Sequence, residues 1–235
     1  GSTDNTVAIA ETFGATIVHF PWIDDFAAAR NAALEVATGE WILLLDCDER
    51  LVRDTIPDLI KAILLDDFDC GMVPFYSSNR LEATVQEVVT GEALIDEPSM
   101  LPRLFRRTPK LRWEGIVHEA PLEVLADPEL RAKVLPTIIV HYGDIPCVRE
   151  SLQKLERNKQ LLERRIDTDP LDVTAWVYLG EERYRLGDID GAKDALDIAW
   201  EQFADQRLVH CTGIGTVRIS GMLLRTLMEK ASIVR

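Results

Sequence analysis

The sequence has little of several features that would assign a protein to a class at once. Its four cysteines form no CxxC pair and stand near no histidine at zinc-ligand spacing, which argues against a disulfide framework or a structural zinc site. It shows no secretory leader pattern, and no apolar run approaches the roughly 18 residues that a membrane span requires. Basic residues are also few, since 26 Lys and Arg stand against 40 Asp and Glu for a net charge of −14.

These shortages exclude some function classes. A chain this acidic has no broad basic surface of the kind that attracts nucleic acid. We therefore expect a cytoplasmic protein with reduced thiols and no nucleic-acid partner. Peripheral contact with the inner face of the membrane stays open at this point.

The first part of the chain has the pattern of a layered α/β domain. Residues 2–14 predict a helix that begins near Asp4 and stops at Gly14, residues 15–20 predict a short strand, and residues 26–37 repeat apolar positions at helical spacing. The run at 41–45 is apolar without alternation, which is typical of a strand covered on both faces, as in a parallel sheet. Helices that alternate with such strands indicate an α/β fold.

Beyond residue 50 the pattern becomes less regular and then helical. We predict a helix over 54–65 and apolar strands over 70–77, 99–107 and 136–143, with Pro and Gly marking the loops between them. From Pro146 onward the sequence predicts helices only, with Leu152, Leu155, Leu162 and Ile166 along one apolar stripe.

Residues 175–200 resemble one tetratricopeptide repeat (TPR). Leu196 replaces the usual Phe, and the expected Tyr is displaced by one residue to Tyr184; the matching signature positions are Trp176, Leu179, Gly180, Ala192 and Ala199. About three repeats are normally needed for independent stability, so we expect an appended helical hairpin that packs against its neighbours. Because helical repeats offer concave peptide-binding surfaces, a protein partner is one expected use of this region.

Three acids follow the apolar run: Asp46, Asp48 and Glu49. On an extended strand Asp46 and Asp48 would project to the same side, and at roughly 6 Å, with an effective dielectric near 20, their charges would repel by about 3 kcal/mol. A hard cation such as Mg²⁺ or Mn²⁺ would relieve that repulsion and keep positions open for a substrate phosphate. Acids also end strands simply because they are well solvated, so this pattern alone leaves both interpretations open.

The segments around these acids resemble family 2 glycosyltransferases, which have the Rossmann-like GT-A fold. The resemblance implies a GT-A domain over 1–145 and, as in bacterial family members with two parts, an all-α TPR-like region over 146–235. It covers most of the chain, more weakly between 66 and 98 and after 205. The matching segments are GSTD (1–4), AARN (28–31), ATGEW (37–41), RLFRR (103–107), WEGIVHE (113–119) and IIVHYG (138–143).

The resemblance implies roles in donor binding and proton transfer. Asp4, with Ser2 in the same turn, would contact the nucleoside of a sugar nucleotide. Arg30 would orient that donor, although an arginine in a helix could equally cover the edge of the sheet. Glu119 in VHE would act as the general base of an inverting transfer, against the simpler interpretation as a surface acid.

The resemblance also implies a metal site and an activity. Asp46 and Asp48 would hold Mn²⁺ or Mg²⁺ against the donor diphosphate, and His141 would complete the coordination. The implied reaction moves a sugar from a nucleoside diphosphate sugar, with UDP-sugar expected, to a saccharide, lipid-linked oligosaccharide or peptide acceptor. His141 could instead be a structural histidine at the end of a strand, as could His118.

Other interpretations compete with this one. The cluster of Arg103, Arg106, Arg107, Lys110 and Arg112 could bind an anion or could be a solvated face. A HAD-type phosphatase also begins from an apolar strand that ends in DxD, but that family has Thr or Val where Arg50 stands here. A catalytically incomplete glycosyltransferase-like scaffold is the main rival.

The scaffold alternative arises because family members begin with a strand, a helix and a second strand before the GSTD turn, whereas this sequence opens with that turn at Gly1. The resemblance thus implies a domain that lacks, in this chain, roughly 30 to 40 residues with a central strand. A truncated reading frame, completion by another chain and a degenerate scaffold are the three explanations.

Overall fold

The computed structural model describes residues 2–145 and 153–209, with side chains up to Phe203. The α/β class predicted for the first part and the helical continuation are both confirmed. In chain order the elements are α1 (Thr6–Thr12), α2 (Phe26–Val36), β1 (Trp41–Leu43), β2 (Glu49–Leu51), a 3₁₀ turn (Arg53–Thr55), α3 (Ile56–Leu65), β3 (Cys70–Ser77), α4 (Val85–Val89), β4 (Ser99–Arg106), α5 (Leu122–Leu125), β5 (Ala132–Val134), β6 (Ile139–His141), α6 (Lys154–Thr168), α7 (Val173–Arg185) and α8 (Ile189–Val209).

The six strands form one mixed sheet in the order β1-β4-β3-β6-β2, with β5 also paired to β3. Strand β4 is antiparallel to both β1 and β3, whereas β5 and β6 run parallel to β3. Strand β5 pairs with Cys70–Met72 and β6 with Phe75–Ser77, so these two short strands act as one interrupted strand along β3. Strand β2 is antiparallel to β6 and sets Glu49 opposite His141, which brings the end of the acidic segment to the late histidine.

Two expectations about this sheet are wrong. Residues 15–20 form no strand, because no described strand lies beside them to supply the ladder that defines one. Strand β1 pairs antiparallel with β4 and not in a parallel ladder. Its Trp41 and Ile42 pack into two different core clusters, as expected of a strand covered on both faces, although Leu43 at its end is 37% exposed. An apolar run without alternation reports a strand, but it does not report the direction of its partner.

The main core lies between α3 and the sheet. Leu59 and Ala62 of α3 pack on Val73, Leu104 and Ile139 from three neighbouring strands. Helix α3 has a proline in its first turn, where the missing N–H costs nothing, and ends at Asp66 in the left-handed conformation with φ of 53°.

The helical region packs on the first part of the chain. Leu161, Leu162 and Ile166 of α6 bury Val117, which lies in the loop between β4 and α5. Helices α7 and α8 form the expected hairpin, in which a Cβ at Gly180 would approach Cγ of Leu196 to 2.8 Å. The hairpin is thus confirmed, while its assignment as a TPR stays a prediction.

Leu152, the first residue of the predicted apolar stripe, lies outside the described residues. Across the part that the structure does describe, none of the helices has both the length and the apolar content to cross a membrane.

Candidate active site

The acidic segment forms a turn between β1 and β2. The amide of Glu49 donates to the carbonyl of Asp46 at 3.0 Å, and Asp48 lies within this turn. The expectation that Asp46 and Asp48 project together from one extended strand is therefore wrong. Because the chain turns between them, each carboxylate has its own set of partners.

Asp46 faces Arg30 of α2. The guanidinium donates to both carboxylate oxygens, at 2.9 and 3.2 Å, and its Nε donates to Oε1 of Glu119. Burial alone would raise the pKa of Asp46, but the hydrogen bonds and charge of Arg30, with a smaller contribution from Arg103, lower it overall. Arg30 therefore joins two of the predicted site acids and keeps Asp46 ionised at neutral pH.

Asp48 faces the end of β6. Its Oδ2 lies 3.5 Å from Nε2 of His141 and 3.7 Å from Nζ of Lys154, which also donates to the carbonyl of Gly143 at 3.3 Å. A Cβ at Gly143 would lie 2.0 Å from that carboxylate oxygen and 2.6 Å from the imidazole. Glycine at 143 is thus what allows Asp48 and His141 to meet.

The acids around His141 set its protonation. Burial alone would lower the pKa of His141, but the carboxylates of Asp144, Asp48 and Glu49 outweigh it and raise the pKa above its ordinary value of 6.5. Nδ1 of the ring lies 3.5 Å from Oδ2 of Asp144. The imidazole therefore lies among carboxylates that favour its protonated form.

Glu49 is a buried support for this segment. Its side chain pairs with Arg103 of β4 at 2.5 Å, with 2% and 10% of the two side chains exposed. Oε2 of Glu49 accepts from the amide of Asp46 at 2.9 Å, and Arg103 also lies 3.9 Å from Oδ2 of Asp46. The pair thus fixes the backbone and the charge environment of Asp46.

The loop that carries Glu119 is held from two sides. Asn31 of α2 exchanges two hydrogen bonds, both of 2.9 Å, with the backbone of Trp113. On the other side Nη1 of Arg165 in α6 donates to the carbonyl of Val117 at 2.8 Å. An open cavity of about 670 Å³ lies between α2, this loop and the end of α6. Glu119 itself is largely covered, with 9% of its side chain exposed.

Some predicted site residues are brought together and others are not. Arg30 joins Asp46 and Glu119, and Asp48 lies beside His141. The two sets are close enough for the charge of His141 to act on Asp46. Ser2 and Asp4 are exposed, and the hydrogen bond recorded for Asp4 is a local one from the amide of Thr6 at 3.0 Å. Their proposed contact with a nucleoside stays a prediction.

The five basic residues between 103 and 112 pair with carboxylate or carbonyl oxygens of the same chain. Arg103 is in the buried pair with Glu49, Arg106 bonds to Asp69 and Glu40, and Arg107 donates to the carbonyl of Gly39. Lys110 and Arg112 pair with Asp127 and Glu35 at the surface. Arg103 is the member of this set that reaches the acidic turn, at Asp46.

Fewer side chains are placed to bind a divalent metal than the family resemblance implied. No group of three or more His, Cys, Asp or Glu within 2–145 and 153–209 is arranged to hold a metal ion. Asp48 and His141 lie together and offer a carboxylate and an imidazole, which are ligands that Mn²⁺ accepts, whereas Asp46 is occupied by Arg30.

Sequence reasoning missed several residues of this site. Glu49 and Gly143 stand directly beside recognised motifs, in DCDE and HYG, and their closeness to those motifs was the available signal. Lys154 had no such signal, because it lies at the start of a charged helix.

Comparison with known proteins identifies the family of this chain. The model of Glycosyl transferase family 2 matches residues 1–119. A TPR repeat-containing protein of Synechococcus elongatus is 32% identical over 212 residues, 82% of this chain and 46% of that protein. The SPbeta prophage-derived glycosyltransferase SunS of Bacillus subtilis is 27% identical over 215 residues, 88% of this chain and 47% of SunS.

The chain thus spans about half the length of these two relatives. An uncharacterized glycosyltransferase of Rickettsia conorii is 40% identical over 62 residues, 26% of this chain and 21% of that protein. The stretch that matches the family contains Arg30, Asp46, Asp48 and Glu119, and the chain belongs to glycosyl transferase family 2.

Proposed function

We propose that this chain carries the catalytic site of a metal-dependent, inverting glycosyltransferase. The donor is a nucleoside diphosphate sugar, a UDP-sugar in the first instance, and the acceptor is a saccharide, a lipid-linked oligosaccharide or a peptide. The observation that carries this proposal is the joining of Asp46 and Glu119 through Arg30, beside the pair of Asp48 and His141.

The donor side is assigned to the acidic turn. Asp48 and His141 would hold Mn²⁺ or Mg²⁺, with the diphosphate supplying further oxygen ligands. A bound metal would stabilise the charge that develops on the departing nucleoside diphosphate. Asp46 takes part through Arg30, which orients the sugar nucleotide, and Asp4 with Ser2 contacts the nucleoside.

The acceptor side is assigned to the loop that ends in Glu119. An acceptor hydroxyl or thiol attacks the anomeric carbon from the face opposite the departing diphosphate, and Glu119 takes the acceptor's proton as the bond forms. Arg30 holds the carboxylate of Glu119 in place before the acceptor arrives. One displacement of this kind inverts the configuration of the sugar.

The two parts of the chain are proposed to divide the work. Residues 1–145 form the GT-A domain, and residues 146–235 form a TPR-like region that covers the loop of Glu119 and offers a surface to a protein or peptide. The cavity of about 670 Å³ lies where both parts meet and is lined by α2, the stretch before Glu119 and the end of α6.

Donor binding tests the proposal. Titration of UDP-glucose by calorimetry, with and without Mn²⁺, is expected to show binding that the metal strengthens and that Asp48→Asn abolishes. Asp54→Asn, an exposed acid just after β2, is the matched control and should bind as the wild type does.

The same titration separates the enzyme from the scaffold. It should be repeated with other nucleoside diphosphate sugars. If none of these sugar nucleotides bound, the scaffold interpretation would replace the proposed transferase.

A further inference from the structure

His118, directly before Glu119, has an unusual backbone conformation. Its φ is 49°, in the left-handed region that residues with a Cβ rarely adopt. Such a conformation persists only where the surroundings hold it in place. The direction in which Glu119 leaves the loop depends on this turn, because the two residues are adjacent.

The surroundings that hold His118 come from α7. The imidazole lies flat on the ring of Tyr178, with ring centroids 3.7 Å apart and an angle of 5° between the planes. Nε2 of His118 also lies 3.8 Å from Oε1 of Glu182, one helical turn further along. One face of α7 therefore meets the imidazole with an aromatic ring and a carboxylate.

Glu182 is itself fixed. The residue is 3% exposed, and its Oε1 accepts a hydrogen bond of 2.9 Å from Nδ2 of Asn158 in α6. A carboxylate this buried keeps its position, since moving it would break that hydrogen bond without offering water in exchange. The support of His118 is therefore built from both α6 and α7.

Tyr178 also lies within the electrostatic range of the predicted base. Burial, together with the carboxylates of Glu181 and Glu119, raises the pKa of Tyr178 above its ordinary value of 10.0. The phenol ring thus touches His118, the neighbour of Glu119, while Arg30 contacts Glu119 from the side of α2.

We infer that Tyr178, supported by Glu182, is a positioning residue that keeps His118 in the left-handed turn and so aims Glu119 at Arg30. The inference rests on the proposed function, and it makes the helical region part of the reaction centre. Without the ring, His118 relaxes to an ordinary φ below zero, and Glu119 turns away from Arg30.

The first experiment measures, by NMR and without any reaction, whether Glu119 still accepts the hydrogen bond from Arg30. In ¹⁵N-arginine-labelled chain, the Nε–H signal of Arg30 reports its hydrogen bond to Glu119, and Arg30→Lys and Glu119→Gln identify that signal. We expect Tyr178→Ala to move it as Glu119→Gln does, and Tyr178→Phe to leave it unchanged because the stacked ring remains.

A matched control removes packing from a different face of the same helix. Val177 is buried against Leu196 and Phe203 of α8 and belongs to a different core cluster from that of Val117. Val177→Ala is expected to lower the melting temperature without moving the Arg30 signal. If Tyr178→Ala left the signal unchanged, or if Val177→Ala moved it equally, the positioning role would be refuted.

The second experiment follows turnover. Release of UDP from UDP-glucose with Mn²⁺, with water as the acceptor of glucose, should fall at least tenfold in kcat for Tyr178→Ala. The KM for UDP-glucose should be unchanged, and Tyr178→Phe should keep the wild-type kcat. A rise in KM at constant kcat would contradict positioning. Should the wild type release no UDP while the Arg30 signal behaves as expected, the proposed transferase fails and the positioning of Glu119 stands.

Discussion

Arg30, in the helix that precedes β1, donates hydrogen bonds to both carboxylate oxygens of Asp46, at 2.9 and 3.2 Å. The third nitrogen of the guanidinium turns to Glu119. The donor side and the acceptor side of the proposed site are therefore linked by one side chain, and changes at Arg30 should affect both.

Arg30→Lys should lower turnover far more than it lowers stability. Lysine keeps the charge but lacks the planar fork that contacts two carboxylates at once. A misplaced catalytic group costs on the order of a hundredfold in rate, so we expect kcat for UDP release to fall by about that factor. Arg112→Lys, at an exposed position, is the control, and equal losses in both variants would contradict the assignment.

Glu119→Gln should reduce kcat by roughly 10²- to 10⁴-fold, the usual contribution of a general base. The affinity for UDP-glucose, measured by calorimetry, should stay close to that of the wild type, because the amide keeps the shape of the side chain. Glu123→Gln, in the exposed first turn of α5, serves as the control. A parallel loss of donor affinity would indicate a binding role for Glu119 instead.

The buried pair of Glu49 and Arg103 should show strong coupling. Removing one partner leaves a buried charge alone, so Glu49→Gln and Arg103→Met should each lower the free energy of unfolding by about 3–5 kcal/mol. The double variant should lose less than the sum of both, as measured by urea denaturation. Asp58→Asn, which breaks the exposed pair with Lys61, should cost under about 1 kcal/mol.

Gly143→Ala should separate Asp48 from His141. The added methyl would lie 2.0 Å from the carboxylate and 2.6 Å from the imidazole, so both side chains must move. We expect the fold to persist, by circular dichroism, while the strengthening of UDP-glucose binding by Mn²⁺ disappears. Retention of the wild-type metal response would show that Asp48 and His141 do not act as a pair.

Asp69 should contribute to acid sensitivity. Two hydrogen bonds from Arg131, at 2.6 and 2.7 Å, are the main cause of a pKa of Asp69 below its ordinary 3.8. A lowered pKa in the folded state gives stability that is present above pH 3.8 and is lost as the pH falls through the folded value. Asp69→Asn should therefore flatten the acid side of the stability profile, by less than about 1 kcal/mol, because the pair is partly exposed.

The longer helices and most strands could be predicted from the sequence because they depend on local patterns, whereas the short helices α4 and α5 were missed. Strand β3 has the predicted bounds, 70–77, and α2 follows its apolar spacing. The partners of Asp46 and Asp48 could not be predicted, since they depend on a turn between the two acids and on pairing with β6, about 90 residues later. The stack of His118 on Tyr178 could not be predicted for the same reason, because it joins two segments that are far apart in the sequence.

The core that Val117 shares with Leu161, Leu162 and Ile166 bears on how such a protein can change over generations. A helical region that only carried a partner-binding surface could be exchanged between relatives like a cassette. Here the helices pack against the loop of Glu119. Replacing them would expose Val117 to solvent and remove the contacts that hold the loop. The two halves of this chain must be inherited, and altered, together.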